Sequence, residues 1–204
     1  MFCIFLTDDA LFSTVPQLTL QIAGGDCIVK FELAEVGIMM EFVIKRMPFT
    51  KDQVLQKLKE RGILINQYAE EFISHPRFSA GQPGEMIKTI ASLKELGLEK
   101  GATLDELLQH IRGTRLNPCP PDTGLFLRLA WTDQPQSRNS VLTGTHNSPD
   151  MAVTVLSEML KTDDAFPKGL YLRNVDGTLW LRGYVCDSRY SFPGNALFAF
   201  ECVG

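Results

Sequence analysis

The stretch Leu170-Tyr-Leu-Arg-Asn-Val-Asp-Gly-Thr-Leu-Trp-Leu-Arg-Gly-Tyr-Val185 determines the fold of the C-terminal third of the chain. Its centre, Asp176-Gly177, is the strongest short-range signal for a β-hairpin, because a type I′ turn needs positive φ at both central residues. A two-residue turn here also fixes the register of the two strands. The predicted opposing pairs are Val175 with Thr178, Asn174 with Leu179, Arg173 with Trp180, Leu172 with Leu181, and Tyr171 with Arg182.

The two faces of this hairpin differ in character, because alternate side chains of a strand point to opposite sides of the sheet. One side is predicted to belong to the core, and we call it the leucine face. It carries Leu170, Leu172, Leu179, Leu181 and Val185. We call the opposite side the Arg/aromatic face. It carries Tyr171, Arg173, Trp180, Arg182 and Tyr184.

Two interpretations of the Arg/aromatic face stay open from the sequence. Rings and guanidinium groups together can stack nucleobases or hold a phosphate or carboxylate group. They can also form a ladder of cation–π contacts that needs no ligand, with Arg173 on Trp180 and Arg182 on Tyr171. The ladder is the favoured interpretation, and a binding surface is the alternative that carries a function.

Composition and charge are those of an ordinary globular protein. The 204 residues are 45% hydrophobic and carry a net charge of −4, so the chain as a whole lacks a strongly basic nucleic-acid footprint. Five cysteines without a CxxC motif predict free thiols in a reducing compartment. No run approaches the roughly 18 apolar residues of a transmembrane helix, and the start MFCIFL lacks the features of a signal peptide. We therefore expect a cytoplasmic protein without a membrane partner.

Residues 1–49 are predicted to form an N-terminal β segment. Leu18–Ile22, Cys27–Leu33 and Met39–Lys45 have the composition of strands, and a glycine-rich turn separates the first two. A further hypothesis concerns the Met-Met pair that opens the third strand. Translation from that pair would make residues 1–38 an upstream extension.

Residues 50–118 are predicted to be a helical segment. Capping boxes pair Thr50 with Gln53 and Thr103 with Glu106. The predicted helices cover about 51–61, 66–74, Glu85–Leu96 and 103–112. The last two have the order of a helix-turn-helix, but the acidic residues that open the second would repel DNA phosphates. A small helical bundle is therefore favoured.

Residues 119–204 are predicted to form an antiparallel α+β domain, after a proline-rich connector at 114–124. Leu125–Trp131 alternates like a strand. Arg128 lies on its polar side and extends the Arg/aromatic face if this strand is a neighbour of the hairpin. A second, short strand is predicted at Val141–Thr145.

A long helix and a final strand complete this predicted domain. Ser148-Pro149-Asp150 combines a cap, a proline at the first helical position and an acid in the first turn, so a helix is predicted from there to about Lys161. The last strand is predicted at about Ala196–Cys202. The expected fold class is therefore α+β, a small helical segment followed by an antiparallel sheet with one long packed helix.

The sequence contains no recognisable catalytic or cofactor motif. The patterns GxSxG, GxxxxGK[ST] and GxGxxG are absent. His146 is the most site-like histidine, because it precedes a predicted helix start where an anion can bind; a role in capping that helix is the favoured alternative. Cys119, flanked by prolines, is predicted to be an exposed thiol without an obvious base. We expect no cofactor and no metal.

Two stretches, Cys119–Pro135 and Gly169–Tyr184, carry a family resemblance. Over residues 50–204 the chain resembles a family of small bacterial proteins of unassigned function, some of whose members carry an automatic helicase label. The resemblance implies a bacterial origin and no assigned chemistry. The phosphate loop that a helicase motor needs is missing from this sequence, so the label does not extend to it.

Three functions of different class follow. The first is a non-catalytic binding protein that holds a protein or small-ligand partner on the Arg/aromatic face. The second is an enzyme with its site near the His146 loop, with Asp150 or Arg128 nearby. The third, less favoured, is a nucleic-acid-binding protein.

Overall fold

The computed structural model describes residues 17–20, 27–34, 37–79, 83–137 and 150–202. In these residues the chain forms ten strands and four short helices. The strands are β1 (Gln17–Leu20), β2 (Cys27–Ala34), β3 (Gly37–Arg46), β4 (Leu64–Ile65), β5 (Gly84–Ser92), β6 (Leu116–Asn117), β7 (Val153–Val155), β8 (Gly169–Val175), β9 (Thr178–Tyr184) and β10 (Leu197–Cys202). The helices are α1 (Lys51–Glu60), α2 (Gln67–Ser74), α3 (Leu104–His110) and α4 (Thr123–Ala130).

All ten strands belong to one curled, mixed sheet that resembles half of a barrel. Their order is β1-β2-β3-β5-β10-β7-β8-β9-β4, and β6 pairs with β10 beside this path. The pairs β10–β7 and β4–β9 are parallel, whereas the others are antiparallel. The predicted fold, an antiparallel sheet with one long helix, is therefore wrong, because the sheet is mixed and no described helix exceeds ten residues.

The predicted helix after Ser148 is wrong for the residues that the structure describes. Residues 150 and 151 form a turn, and β7 follows. Val153 and Val155 are buried, and β7 lies between β8 and β10. A segment hydrogen-bonded to strands on both sides cannot also close a helix, so tertiary pairing overrides the local helix-start signal. The predicted strand Val141–Thr145 lies outside the described residues.

The predicted helix Glu85–Leu96 is also wrong, because most of these residues form β5 in the interior of the sheet. Its neighbours are β3 and β10. Met86 and Ile90 are buried on one side and Ala91 on the other. Burial on both faces removes the alternation of apolar and polar residues that identifies most strands. The proposed helix-turn-helix is thereby excluded in this segment.

The predicted strand Leu125–Trp131 lies mainly in α4. This helix packs under the hairpin, and a Cβ on Gly124 would lie 3.0 Å from the Cβ of Leu170. Every residue from Thr123 to Arg128 is buried. Arg128 is buried with its apolar neighbours, so the alternation of apolar and polar residues that favours a strand does not correspond to a buried and an exposed side here.

The other three predicted helices, both capping boxes and the last strand are confirmed. Thr50 caps α1 through a capping box with Gln53, and Asn66 caps α2. The box of Thr103 and Glu106 begins α3, and β10 is the predicted last strand. None of the described helices is long and apolar enough to cross a membrane.

The sheet separates two hydrophobic clusters. The four leucines of the leucine face, together with α1, α2 and α4, form the larger one. The prediction of Val185 as a core residue is wrong, because it lies just beyond the end of β9, is 39% exposed and does not belong to this cluster. On the opposite side, Phe192, Phe198 and Phe200 pack with Leu107 of α3.

The proline-rich connector at 114–124 is part of this packed structure, since β6 pairs with β10 and Asp122 forms a buried ion pair with Arg46. The division into segments 1–49, 50–118 and 119–204 stays a prediction, although strands from all three join the same sheet.

Candidate functional site

The hairpin of β8 and β9 has the predicted turn and register. Asp176 and Gly177 have φ values of +50° and +75°, as a type I′ turn requires. The opposing pairs are Val175 with Thr178, Asn174 with Leu179, Arg173 with Trp180, Leu172 with Leu181, and Tyr171 with Arg182. The five residues of the Arg/aromatic face therefore lie on one side of the sheet.

The contacts within this face differ from the predicted ladder. The guanidinium carbon of Arg182 lies 5.0 Å from the centre of the Trp180 ring, so Arg182 stacks on its neighbour along the strand rather than on Tyr171. The positive charge of Arg182 also acts on Tyr171, where it opposes the rise in pKa that burial causes. The stacking contact restrains the guanidinium group, and an exposed cation–π pair contributes about 0.5–1 kcal/mol.

Arg173 is not exposed on this face. Only 3% of it is accessible, and its Nε donates a hydrogen bond of 2.8 Å to Oγ of Ser137. The backbone of Ser137 in turn donates to the carbonyl of Asn174, so the segment before residue 138 covers the guanidinium group. Burial lowers the pKa of Arg173, and the negative charge of Asp150 opposes that shift.

Arg128 and Cys119 are placed away from the Arg/aromatic face. Arg128 is fully buried in α4, on the side of the leucine face, and it donates hydrogen bonds to Gln134 and to the carbonyl of Trp131. Burial lowers its pKa to about 10. Cys119 is buried rather than exposed, and burial raises its pKa to about 12, so it is not a ready nucleophile. His146 lies outside the described residues.

A cavity of about 510 Å³ borders the Arg/aromatic face. Tyr171 and Tyr184 form part of its wall, and the loop between β9 and β10 contributes Tyr190 and Phe192. The remaining wall residues are Asp150, Met151, Ala152, Thr154, Val185, Cys186, Asn195, Ala196 and Leu197. The cavity is thus assembled from the turn before β7, from β7 and the hairpin, and from the loop that leads into β10.

Three ionisable groups of the wall keep their protons at neutral pH. Burial raises the pKa of Tyr171 and of Tyr184. It also raises the pKa of the Cys186 thiol to about 11. The described wall therefore offers rings, hydroxyls and an amide for contact with a ligand, together with one carboxylate, that of Asp150.

Sequence analysis identifies Tyr171 and Tyr184 as site residues, but not Thr154, Cys186, Tyr190 or Phe192. A signal for the last two is present in the chain. Tyr190 and Phe192 stand in a polar loop that ends in Pro193-Gly194, where large rings need a packing partner. Within the described residues, no group of three or more His, Cys, Asp or Glu side chains is arranged to hold a metal ion.

Comparisons with protein-family models, with curated proteins and with solved structures give no match for this chain. The resemblance to small bacterial proteins of unassigned function therefore stays a prediction.

Proposed function

We propose that this protein is a non-catalytic binding protein and that it holds a small organic ligand in the cavity beside the Arg/aromatic face. The observation that carries the proposal is the cavity itself, with Tyr171 and Tyr184 in its wall. Its volume of about 510 Å³ falls within the range of roughly 300–1,000 Å³ that is usual for small-molecule sites. Such sites combine apolar and aromatic walls with a few polar groups, as this wall does.

The chemistry of the wall supports binding rather than catalysis. A general base works best when its pKa lies near the working pH. Burial moves the pKa values of Tyr171, Tyr184 and Cys186 upward, away from neutrality. These groups suit packing and hydrogen bonding better than proton abstraction.

An enzyme remains the second candidate function, for one reason. Asp150, in the cavity wall, follows His146 by only four positions in the chain. If the His146 loop takes part, a ligand recovered from the protein would be chemically changed, and the change would disappear in His146→Ala. A ligand recovered unchanged favours the binding protein.

A nucleic-acid partner is less favoured. Arg173 is buried beneath Ser137 and cannot reach a phosphate group. Arg182 is the other guanidinium of the face, and it is half-buried and stacked on Trp180. A single half-buried arginine provides little positive charge for binding a phosphate backbone.

Titration with the neutral fluorescent probe N-phenylnaphthylamine tests the proposed function. We expect a fluorescence increase that saturates at one probe per chain, because the probe is apolar, aromatic and uncharged. Thr154→Trp is expected to weaken binding by at least about tenfold, or about 1.4 kcal/mol, since the indole would fill the cavity from β7. Thr154→Val is the matched control and is expected to bind like the wild type.

A second variant that fills the cavity provides the test if Thr154→Trp does not fold. Asn195 lies in the wall but is exposed in the loop before β10, so Asn195→Trp fills the cavity from a position that the core does not need. Circular dichroism and thermal unfolding check that each variant is folded. The proposed function is overturned if the wild type does not bind the probe, or if both folded tryptophan variants bind it as tightly as the wild type.

A further inference from the structure

Four aromatic rings line the cavity, and neighbouring rings meet edge to face. The ring centres of Tyr171 and Tyr184 are 6.5 Å apart at 63°, and those of Tyr184 and Phe192 are 6.1 Å apart at 89°. Tyr190 and Phe192 follow at 4.8 Å and 88°. Such contacts are favourable because the positive edge of one ring meets the negative face of the next. A planar aromatic ligand can continue this arrangement, since it presents edges as well as faces to the wall.

Charges of both signs act on the cavity wall. Asp150 is the one carboxylate of the described wall, and it already has an interaction partner. Its negative charge acts on Arg173, whereas the positive charges of Arg173 and Arg182 act on Tyr171. A ligand of either charge is therefore attracted by some of these groups and repelled by others, so the wall compensates little of the cost of removing an ion from water.

Burial at this face of the sheet disfavours charge of either sign. It raises the pKa of Tyr184 and of Cys186, and it lowers the pKa of Arg173 on the same face. Each of these shifts favours the uncharged form of its group. A ligand group that enters the cavity loses water in the same way, so an ammonium or carboxylate group is disfavoured there.

Uncharged hydrogen-bonding groups are nevertheless available in the wall. Thr154 and Tyr184 contribute hydroxyl groups, and Asn195 contributes an amide. Among the residues that the structure describes, none forms a hydrogen bond with the Tyr184 hydroxyl. A hydroxyl group can both donate and accept a hydrogen bond. A hydroxyl group on the ligand is therefore a suitable partner for this side chain.

We infer that the cavity binds an uncharged, planar aromatic molecule that carries a hydroxyl group, and that this group forms a hydrogen bond with the hydroxyl of Tyr184. The inference rests on the proposed function, because it names the ligand class of the same cavity. It adds a preference against charge and a specific polar contact, neither of which a general apolar cavity would show.

Competition against bound N-phenylnaphthylamine tests the preference against charge. Naphthylmethanol carries the hydroxyl group on a methylene group. Naphthylmethylammonium and naphthoate, substituted at the same ring position, are its cationic and anionic analogues at neutral pH. We expect the alcohol to displace the probe from the wild type at a concentration at least about tenfold lower than either ion requires, because only the ions lose a charged group's hydration.

Tyr184→Phe tests the hydrogen bond, because it removes the hydroxyl group and keeps the ring. Ethylnaphthalene is the isostere of the alcohol that cannot form this bond. We expect the affinity for the alcohol, relative to that for ethylnaphthalene, to fall by at least about threefold in this variant. Probe affinity is measured separately for each variant and enters the calculation. Tyr68→Phe is the control, since it removes the hydroxyl group of an exposed tyrosine on α2 outside the cavity; it is expected to keep the wild-type ratio.

The outcomes separate this inference from the proposed function. If the probe binds at one site and either ion competes as well as the alcohol, the ligand class is wrong and the proposed function stands. The same holds if a folded Tyr184→Phe variant keeps the wild-type ratio of the alcohol to ethylnaphthalene. The comparison of charges needs no variant, so it decides even if Tyr184→Phe does not fold. If the wild type does not bind the probe, both proposals are overturned.

Discussion

Replacing Gly183 with alanine is expected to lower the free energy of unfolding by about 3 kcal/mol. A Cβ at this position would collide with the carbonyl carbon of Tyr68 and would lie 2.5 Å from the backbone nitrogen of Ala69. These are backbone atoms at the start of α2, so they can move only if the helix separates from β9. Urea-induced unfolding measures the loss, and the melting temperature should fall by roughly 6–12 °C.

The separation of α2 from β9 would also break a pair of hydrogen bonds. The Asn66 side chain accepts a bond of 2.7 Å from the Gly183 backbone nitrogen and donates one of 3.2 Å to the Gly183 carbonyl. Gly183 stands between Arg182 and Tyr184, so this contact positions the strand that carries three residues of the Arg/aromatic face. If α2 separates from β9, both hydrogen bonds and the close packing at Gly183 are therefore lost together.

Gly113→Ala is the control for the general effect of removing a glycine. A Cβ at residue 113 would have no heavy atom within 4 Å, but the φ of Gly113 is +79°. The cost of this change is therefore conformational, about 1–2 kcal/mol. A Gly183→Ala variant that is no less stable than Gly113→Ala would contradict the close packing of α2 on β9.

Asp122→Ala is expected to destabilise the protein by about 3–5 kcal/mol. Oδ1 of Asp122 lies 2.8 Å from Nη2 of Arg46, and their side chains are only 2% and 6% exposed. Without the carboxylate, the buried guanidinium group keeps its desolvation cost and loses the attraction of Asp122. Urea-induced unfolding at neutral pH measures the difference.

A double variant separates the ion pair from simple packing. Arg46→Met combined with Asp122→Leu removes both charges and replaces them with apolar side chains, and such a replacement is often neutral or even stabilising. We therefore expect the double variant to recover most of the stability that Asp122→Ala loses. If the double variant is as unstable as the sum of the two single changes, the ion pair is not the source of the effect.

This pair also has a structural consequence for the site. Arg46 is the last residue of β3, and its ion-pair partner Asp122 immediately precedes α4. The ring of Phe126, which belongs to α4, has its centre 5.7 Å from the Arg46 guanidinium carbon. The ion pair thus holds the start of α4 against the sheet. Because α4 packs beneath Leu170, it supports the hairpin from the leucine face.

Sequence rules predict the features that depend on neighbouring residues. Asp176 and Gly177 define their turn by their own backbone preferences, and the turn then fixes every pair in β8 and β9. The capping boxes at Thr50 and Thr103 likewise close within three residues. Such features form from local chemistry, so no knowledge of the rest of the chain is needed.

Features that depend on distant partners are not predictable in the same way. Lys88 in the middle of β5 suggests the polar side of a helix, yet it is fully buried and its Nζ lies 3.0 Å from Glu201 of β10. Arg128 suggests the polar side of a strand, yet it is buried in α4 with Gln134 as its partner. The partner of Lys88 lies far beyond the window that a periodicity argument uses. Gln134 is only six residues from Arg128, but it lies past the end of α4, so a strand pattern over residues 125–131 does not include it.

The cavity illustrates the same limit for the site. Period-two alternation brings Tyr171 and Tyr184 onto one face. The loop carrying Tyr190 and Phe192 joins them only because β10 enters the sheet next to β7 rather than next to β9. That strand order is a property of the whole fold, and no local pattern in the loop specifies it.

Nuclear magnetic resonance of a protein with isotopically labelled tyrosine rings tests the central claim most directly. The chain has four tyrosines, and three of them line the cavity while Tyr68 is exposed on α2. On titration with N-phenylnaphthylamine we predict shifted ring signals for Tyr171, Tyr184 and Tyr190, with that of Tyr68 unchanged. Saturable binding that leaves all three cavity rings unshifted would contradict the account.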